Sequence, residues 1–206
     1  MTDIPNQVNR TTEIQDQLVR RPVDGYSPLW HLVAALYEAA FPLCERRDLE
    51  EWERLADEKG AFRLDAILYG DRFAGFISYW RLENFCYVEH FAIDASQRGG
   101  GIGGRILDEL RTAMPIPLVL EVELPKTLIA QRRISFYERH GFTLDTADYL
   151  QPPYRQTDKC LPLNLMTTAP ETLASCRQSF INLLYRTVYG WDMPIGQVPH
   201  HTSLTI

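Results

Sequence analysis

The chain has few of the features that assign a protein quickly. Its four cysteines, Cys44, Cys86, Cys160 and Cys176, are far apart and form no C-x-x-C pair. Neither a disulfide framework nor a metal site is therefore expected, and all four read as reduced core residues of an intracellular protein. No apolar run approaches the length of a membrane span, so no membrane partner is expected. The polar start, MTDIPNQVNR, has no apolar h-region, so secretion is not indicated and the expected location is cytoplasmic. Positive charge is in deficit: 21 Lys and Arg stand against 27 Asp and Glu, the net charge is −6 and the pI is about 5.4. A nucleic-acid backbone is a poor partner for such a surface, whereas a cationic amine is compatible with it. Internal repeats and low-complexity segments are also absent. What remains is an ordinary globular composition, 45% hydrophobic and 23% charged over 206 residues, which is long enough for one well-buried core and short for two.

The chain is organised around Asp94–Gly104, which reads DASQRGGGIGG. Before it, Tyr87-Val88-Glu89-His90-Phe91-Ala92-Ile93 alternates like a half-buried strand. After it, Ile102, Ile106, Leu110 and Met114 recur every four residues and draw the apolar stripe of a helix. A strand that ends in a glycine loop and opens a helix makes an anion site. Backbone free of side chains lets amide N–H groups converge, and the unpaired N–H groups of the first helical turn point the same way. Five glycines within the six positions 99–104 are more than a tight corner needs.

Taken in order, Thr11–Pro22 contains a first edge strand anchored by Ile14, Leu18 and Val19. Ser27 and Pro28 form an N-cap and N1 pair for a helix that runs to about Phe41 and is stopped by Pro42. Leu49, Trp52 and Leu55 mark a second helix. Phe62–Tyr69, Gly70-Asp71 and Phe73–Arg81 read as a hairpin leading into the strand before the glycine loop. Beyond the loop helix come a strand at Leu118–Leu124, a helix at Leu128–His140 capped by Gly141, and strands at Phe142–Leu150 and Lys159–Met166. Thr168 is a candidate cap for a last amphipathic helix through Leu173, Cys176, Phe180, Leu184 and Val188, ended by Gly190. That helix can cover its own core or a partner, so monomer and homodimer are both open. The expected architecture is one α/β (α+β) domain over residues 1–206, with a mixed, mostly antiparallel sheet flanked by helices and a C-terminal helical extension at 168–206.

Three readings of the glycines compete. A P-loop needs Lys-Ser or Lys-Thr after its last glycine, and here Arg105-Ile106 follows Gly104. A dinucleotide fingerprint is formally present in Gly99, Gly101 and Gly104, with Glu121 where a ribose-binding carboxylate would fall. Against it, Asp94–Arg98 separate the strand from the first glycine, and the loop follows an antiparallel meander where βαβ units are wanted. In the third reading, R-x-x-G-x-G in Arg98-Gly99-Gly100-Gly101-Ile102-Gly103 resembles the acyl-CoA-binding loop of the GNAT superfamily of acetyl-CoA-dependent N-acetyltransferases. Phe91-Ala92-Ile93-Asp94 looks like the strand end that precedes it, and Phe136-Tyr137-Glu138-Arg139-His140-Gly141-Phe142 is similar to the family's second signature, F-Y-E-x-x-G-F. The resemblance covers roughly Ser27 to Met166. It departs at Ala130, where the family often has a cofactor-contacting asparagine.

The resemblance implies that Arg98, Gly99, Gly100, Gly101, Ile102, Gly103 and Gly104 hold the pyrophosphate of acetyl-CoA, and that backbone groups of Phe91, Ala92 and Ile93 meet its pantetheine arm or the oxyanion. It implies direct transfer to a small-molecule or peptide amine, with Tyr137 as the acid that protonates the departing thiolate. For the base, a carboxylate inside an apolar strand is costly unless used or paired, which ranks Glu89 first and Glu121 second. A solvated edge is nonetheless the commoner fate of a glutamate, and a bound water can relay the proton. Glu123 shares a face with Glu121 by period two. Glu89 is expected to share a face with Tyr87 and Phe91, opposite a structural His90. Arg132 and Arg133 are candidates for phosphate contact; Trp30, Tyr37, Phe41, Tyr154 and Arg155 are candidates for the acceptor side. The alternative functions are a non-catalytic module that binds coenzyme A or a nucleotide and, third, an NAD(P)-dependent enzyme.

Overall fold

A computed structural model describes residues 17–58, 60–155 and 157–191. Its strands are β1 (Leu18–Pro22), β2 (Phe62–Tyr69), β3 (Arg72–Arg81), β4 (Cys86–Ile93), β5 (Leu118–Glu123), β6 (Thr143–Gln151) and β7 (Leu161–Thr167). Its helices are α1 (Trp30–Ala40), α2 (Leu49–Asp57), α3 (Ile102–Ala113), α4 (Leu128–Arg139) and α5 (Pro170–Leu184), the last continued by a π-turn at Tyr185–Tyr189. The seven strands form one sheet in the order β1-β2-β3-β4-β5-β7-β6. Every neighbouring pair is antiparallel except β4 and β5. The expected mixed, mostly antiparallel sheet is therefore present. A doubly wound dinucleotide fold needs parallel strands on both sides of its glycine loop, and this order rules it out.

Two apolar layers sandwich the sheet. On one face, α1, α2 and α5 bury Val33, Tyr37, Trp52, Leu173, Phe180 and Leu184 against Phe76, Tyr87 and Val119. On the other, α3 and α4 bury Ile102, Ile106, Leu110 and Ile134 against Ile77, Val88 and Leu120. The C-terminal helix thus covers its own sheet. The stripe read from the sequence is the reason: Leu173, Phe180 and Leu184 fall on one side of α5, and Pro170 occupies its first turn. Among the described residues no helix is long and apolar enough to cross a membrane.

Some local expectations need correction. The first helix starts at Trp30, because Ser27–Leu29 form a turn in which the Leu29 N–H donates to Ser27 Oγ. Ala169, not Thr168, occupies the N-cap of α5; the Thr168 hydroxyl instead accepts from the Leu118 N–H and ties α5 to β5. Only Cys86 is a core cysteine: Cys160 and Cys176 are half-buried, and Cys44 is exposed in the short turn Leu43–Glu45, which presents no apolar face. Ile14 and the tail after Trp191 lie outside the described residues.

Two irregularities make the site. The first lies in the register of β3 with β4, where Ser78 faces His90 but Tyr79 faces Val88, so Glu89 is the extra residue of a β-bulge. The second is the shortness of the β4–β5 pairing. It holds only from Cys86–Leu118 to Val88–Leu120, after which the two strands separate.

Candidate active site

The bulge reverses which face each side chain of β4 takes. Cys86 and Val88 belong to the α3/α4 layer, but beyond Glu89 it is Phe91 and Ile93 that pack there. His90 turns to the α1 side and meets Tyr37 and Phe41 edge-on at 4.8 and 4.7 Å. Glu89 therefore shares a face with Tyr87 and His90 but not with Phe91. Simple alternation predicts the opposite for His90 and Phe91, because it assumes an unbroken period of two.

Strand separation leaves backbone groups of β4 without a partner strand. The Asp94 N–H donates to Ala74 O and the His90 N–H to Ser78 Oγ, so even-numbered positions here face β3. By alternation, the backbone of Phe91 and Ile93 faces the gap, and that of Ala92 faces β3. Arg98 Nε bonds the Ile93 carbonyl at 3.0 Å. Of the three residues expected to offer backbone contacts, Phe91 and Ile93 can do so, whereas Ala92 contributes only its side chain to the gap.

The glycine loop suits an anion. Gly99 and Gly101 have φ of +87° and +72°, a region that L side chains rarely adopt, and a Cβ at either would meet no protein atom within 4 Å. The first helical bond runs from the Arg105 N–H to Gly101 O, so the N–H groups of Ile102, Gly103 and Gly104 open the helix without a carbonyl partner. They border a cavity of about 310 Å³ lined also by Phe91, Ile93, Arg98, Phe136 and Tyr137. Unfilled backbone donors beside an apolar channel fit a diphosphate joined to a long neutral arm, which is the chemistry of coenzyme A. Gly104 has a second role. A Cβ there would overlap the His140 imidazole, which Asp108 Oδ2 holds at 3.1 Å, so this glycine is also needed for α3 to pack against α4.

The two carboxylates singled out from the sequence have opposite environments. The Glu89 side chain is fully buried. Its Oε1 accepts from Arg47 Nε at 3.0 Å, Arg47 Nη2 at 2.9 Å and the Tyr154 hydroxyl at 3.1 Å; its Oε2 accepts from Trp80 Nε1 at 2.9 Å. Burial is the largest single influence and would raise its pKa, but the Arg47 guanidinium, with His90 and the bond from Trp80, together outweigh it and hold the carboxyl below the ordinary range. A carboxylate so fully paired is a structural anion and a weak base.

Among the described residues, Glu121 has no cation at bonding distance. It accepts from Gln151 Nε2 at 2.6 Å, from the Tyr189 hydroxyl at 2.9 Å and from the Tyr149 hydroxyl. Burial pushes its pKa up to about 7, and hydrogen bonding from the surrounding phenols, Tyr149 first, and from Gln151 limits that rise. Tyr137, on α4, is pushed up to about 12 by burial, with Arg133 opposing the rise, so its phenol keeps its proton throughout the neutral range.

Glu121 and Tyr137 come from opposite faces of the sheet and line the same cavity of about 210 Å³, together with Phe91, Ile93, Arg98 and Arg133. The gap between β4 and β5 is thus a passage through the sheet. On the α1 side it meets a smaller recess of about 80 Å³ walled by Phe41, Glu45, His90, Glu123 and Tyr154. Burial, reinforced by Glu123, raises the Glu45 carboxyl, while Arg133 lowers it; Arg133 also pairs with Glu123 at 3.0 Å.

The other candidates divide. Arg133 borders all three cavities, whereas Arg132 is exposed on α4. Phe41 and Tyr154 reach the acceptor side. Tyr37 stacks on Trp52 at 3.8 Å in the core, and Trp30 packs behind it at 5.6 Å. Arg155 braces a loop instead, bonding Leu43 O at 2.6 Å, Arg46 O at 3.1 Å and the Asp48 carboxylate. Sequence reasoning missed Arg47, Tyr149, Gln151 and Tyr189. The site carboxylates they bond, Glu89 for Arg47 and Glu121 for the others, lie 28 to 68 residues away, so no local spacing marks these pairs.

Comparison with known proteins agrees with this geometry. Residues 62–144 match the family model described as an acetyltransferase (GNAT) domain. A GNAT-family protein of Bacteroides thetaiotaomicron is 38% identical, with a TM-score of 0.80 over 84% of this chain and 99% of that one. Two more distant structures share the fold. The Salmonella typhimurium acetyltransferase that modifies the N-terminal serine of a 50S ribosomal subunit protein is 20% identical, with a TM-score of 0.57 over 75% of this chain and 95% of its own. A spermidine N-acetyltransferase of Vibrio cholerae is 13% identical, with a TM-score of 0.56 over 77% and 98%. No curated protein sequence matches the chain significantly. The identity to the Bacteroides protein, nearly the whole of which is covered, shows that the chain belongs to the GNAT acetyltransferase family.

Proposed function

We propose that the protein transfers an acetyl group from acetyl-CoA to an amine by direct attack within the gap between β4 and β5. The observation that carries this reading is the shared cavity, in which a carboxyl titrating at about 7 and a phenol that keeps its proton approach from opposite faces of the sheet. When bound, acetyl-CoA supplies a thioester carbonyl to which the amine bonds as the thiol departs. The N–H groups of the α3 first turn and the loop at Gly99–Gly101 would hold its diphosphate, with Arg98 at the edge. The Phe91 N–H, turned to the gap, is the donor for charge developing on the carbonyl oxygen.

Glu121 is the base in this reading, in place of Glu89. An efficient base has a pKa near the working pH, and the Glu89 carboxyl is held well below it by Arg47. Ionised above about 7, Glu121 takes the proton that the amine sheds as its new bond forms. Tyr137 acts on the leaving sulfur. Full proton transfer from a phenol at about 12 to a thiolate whose acid has a pKa of about 8.5 is uphill, so the phenol stabilises the developing charge by a hydrogen bond. No motif for an acyl-enzyme supports a ping-pong route. The acceptor is a small-molecule or peptide amine, and the free cysteines suit a reducing, cytoplasmic setting.

The test is thiol release from acetyl-CoA against a panel of amines, for the wild type and Tyr137→Phe. The variant should lose about 10²-fold in kcat while its affinity for acetyl-CoA is retained. Unchanged kcat removes Tyr137 from the reaction. Stabilisation by NAD(P) without stabilisation by acetyl-CoA overturns the whole reading.

A further inference from the structure

The family match ends at residue 144, yet three of the groups bonded to Glu121 lie beyond it: Tyr149 and Gln151 on β6, and Tyr189 in the π-turn that ends α5. The turn is built to deliver Tyr189. It closes with Gly190 at φ +68° and a bond from the Trp191 N–H to Tyr185 O, and its Val188 carbonyl is bonded by Arg47. The Tyr189 ring lies against Tyr154 at 5.2 Å.

Proton accounting fixes the direction of the bonds. The Tyr189 hydroxyl lies 2.9 Å from Glu121 Oε2, 2.9 Å from Gln151 Nε2 and 3.0 Å from the Tyr87 hydroxyl. It has one proton to give. An amide nitrogen can only donate, and an ionised carboxylate can only accept. Gln151 therefore donates into the Tyr189 oxygen, Tyr189 donates to Glu121, and the Tyr87 proton points to Tyr189. Tyr149, Tyr189 and Gln151 thus each donate to an ionised Glu121, while Tyr87 and the second Gln151 proton support the Tyr189 oxygen from behind. Protonating Glu121 would force at least one of these donors to turn away or become an acceptor, so the cluster favours the ionised form.

We infer that Tyr189 is a positioning residue for Glu121, and that α5 with its terminal turn is a working part of the acetyl-transfer site as well as a cover for the sheet. The inference rests on the reading of Glu121 as the base. Other titratable and charged groups around Glu121 are Tyr87 on β4, Tyr185 and Tyr154, with Glu45, His90, Glu123, Arg133 and the Glu89–Arg47 pair along the same recess and Arg98 and Tyr137 across the gap.

Two measurements on Tyr189→Phe test it, with Tyr149→Phe as a second variant that removes a donor from the other side of the carboxylate. The first is the Glu121 titration followed by carboxyl carbon NMR, assigned by the signal lost in Glu121→Gln; it needs no acceptor. The second is the acid limb of kcat/KM for acetylation of an amine found active in the panel. Losing one donor to an ionised carboxylate should raise the Glu121 midpoint by about one to two units. The rate limb should rise equally, so that activity lost at pH 7 returns by pH 9. A merely structural defect lowers the rate at every pH and leaves the midpoint in place. An unmoved midpoint overturns the inference. A midpoint that rises while the rate limb stays fixed refutes the base reading and, with it, the catalytic role of Tyr189.

Discussion

Replacing Glu121 with glutamine isolates the cost of ionising this one carboxyl from every other pH effect in the protein. Its folded-state pKa is about 7, against an ordinary 4.5, and burial is the leading cause. A folded pKa above the unfolded one means that the native state holds the proton more tightly. The associated stability is fully present below 4.5 and is lost as pH rises through about 7. The full gap is worth about 3 kcal/mol, and most of it is lost between pH 5 and pH 9. Glu121→Gln cannot ionise and loses none of it. The variant starts with its own penalty, since its amide presents a donor to Gln151 and Tyr189, but that penalty does not depend on pH. Urea unfolding followed by tryptophan fluorescence gives the stability of each protein at each pH. The difference between variant and wild type should move by about 2–3 kcal/mol in the variant's favour from pH 5 to pH 9, most of it below about 7, and level off above that. A flat difference refutes the reasoning. A shift in the wild type's favour would mean that the donors around Glu121 outweigh burial.

Two further outcomes follow from the same geometry. Arg47→Met leaves Glu89 buried beside Trp80 and Tyr154 with no cation, and should cost about 3–5 kcal/mol in urea unfolding; Arg47→Met with Glu89→Met should recover much of it, and an equal loss in the double variant would show that the pair is not the cause. Gly101→Val forces a β-branched residue to φ +72° in the mouth of the glycine loop, which should lower stability by about 1–2 kcal/mol and abolish thermal stabilisation by acetyl-CoA; retained stabilisation would move the diphosphate elsewhere.

Local patterns carry local structure, and that is what the sequence made legible. The stripe Ile102, Ile106, Leu110 and the glycines before it identify α3 and its loop because both depend on near neighbours. The hairpin of β2 and β3 and the Pro42 stop are of the same kind. The chemistry of the carboxylates was not legible, because it depends on distant partners. Glu89 and Glu121 look alike as single charges in apolar strands, yet one is neutralised by Arg47 and the other is surrounded by phenols. Arg47 lies in a run of charges that reads as a solvated helix end. Tyr189 reads as one more residue on the last helix. The bulge at Glu89 leaves no mark in the composition of β4, so alternation puts His90 and Phe91 on the wrong faces.

The proposed reaction is acetyl transfer in the gap between β4 and β5, with Glu121 as the base. The pH dependence of kcat/KM in the wild type and Glu121→Gln, with one active amine and saturating acetyl-CoA, tests it most directly. The wild-type rate should climb to a plateau with a midpoint near 7, and the variant should be slower and lack this limb. The same limb at the same midpoint in Glu121→Gln would contradict it.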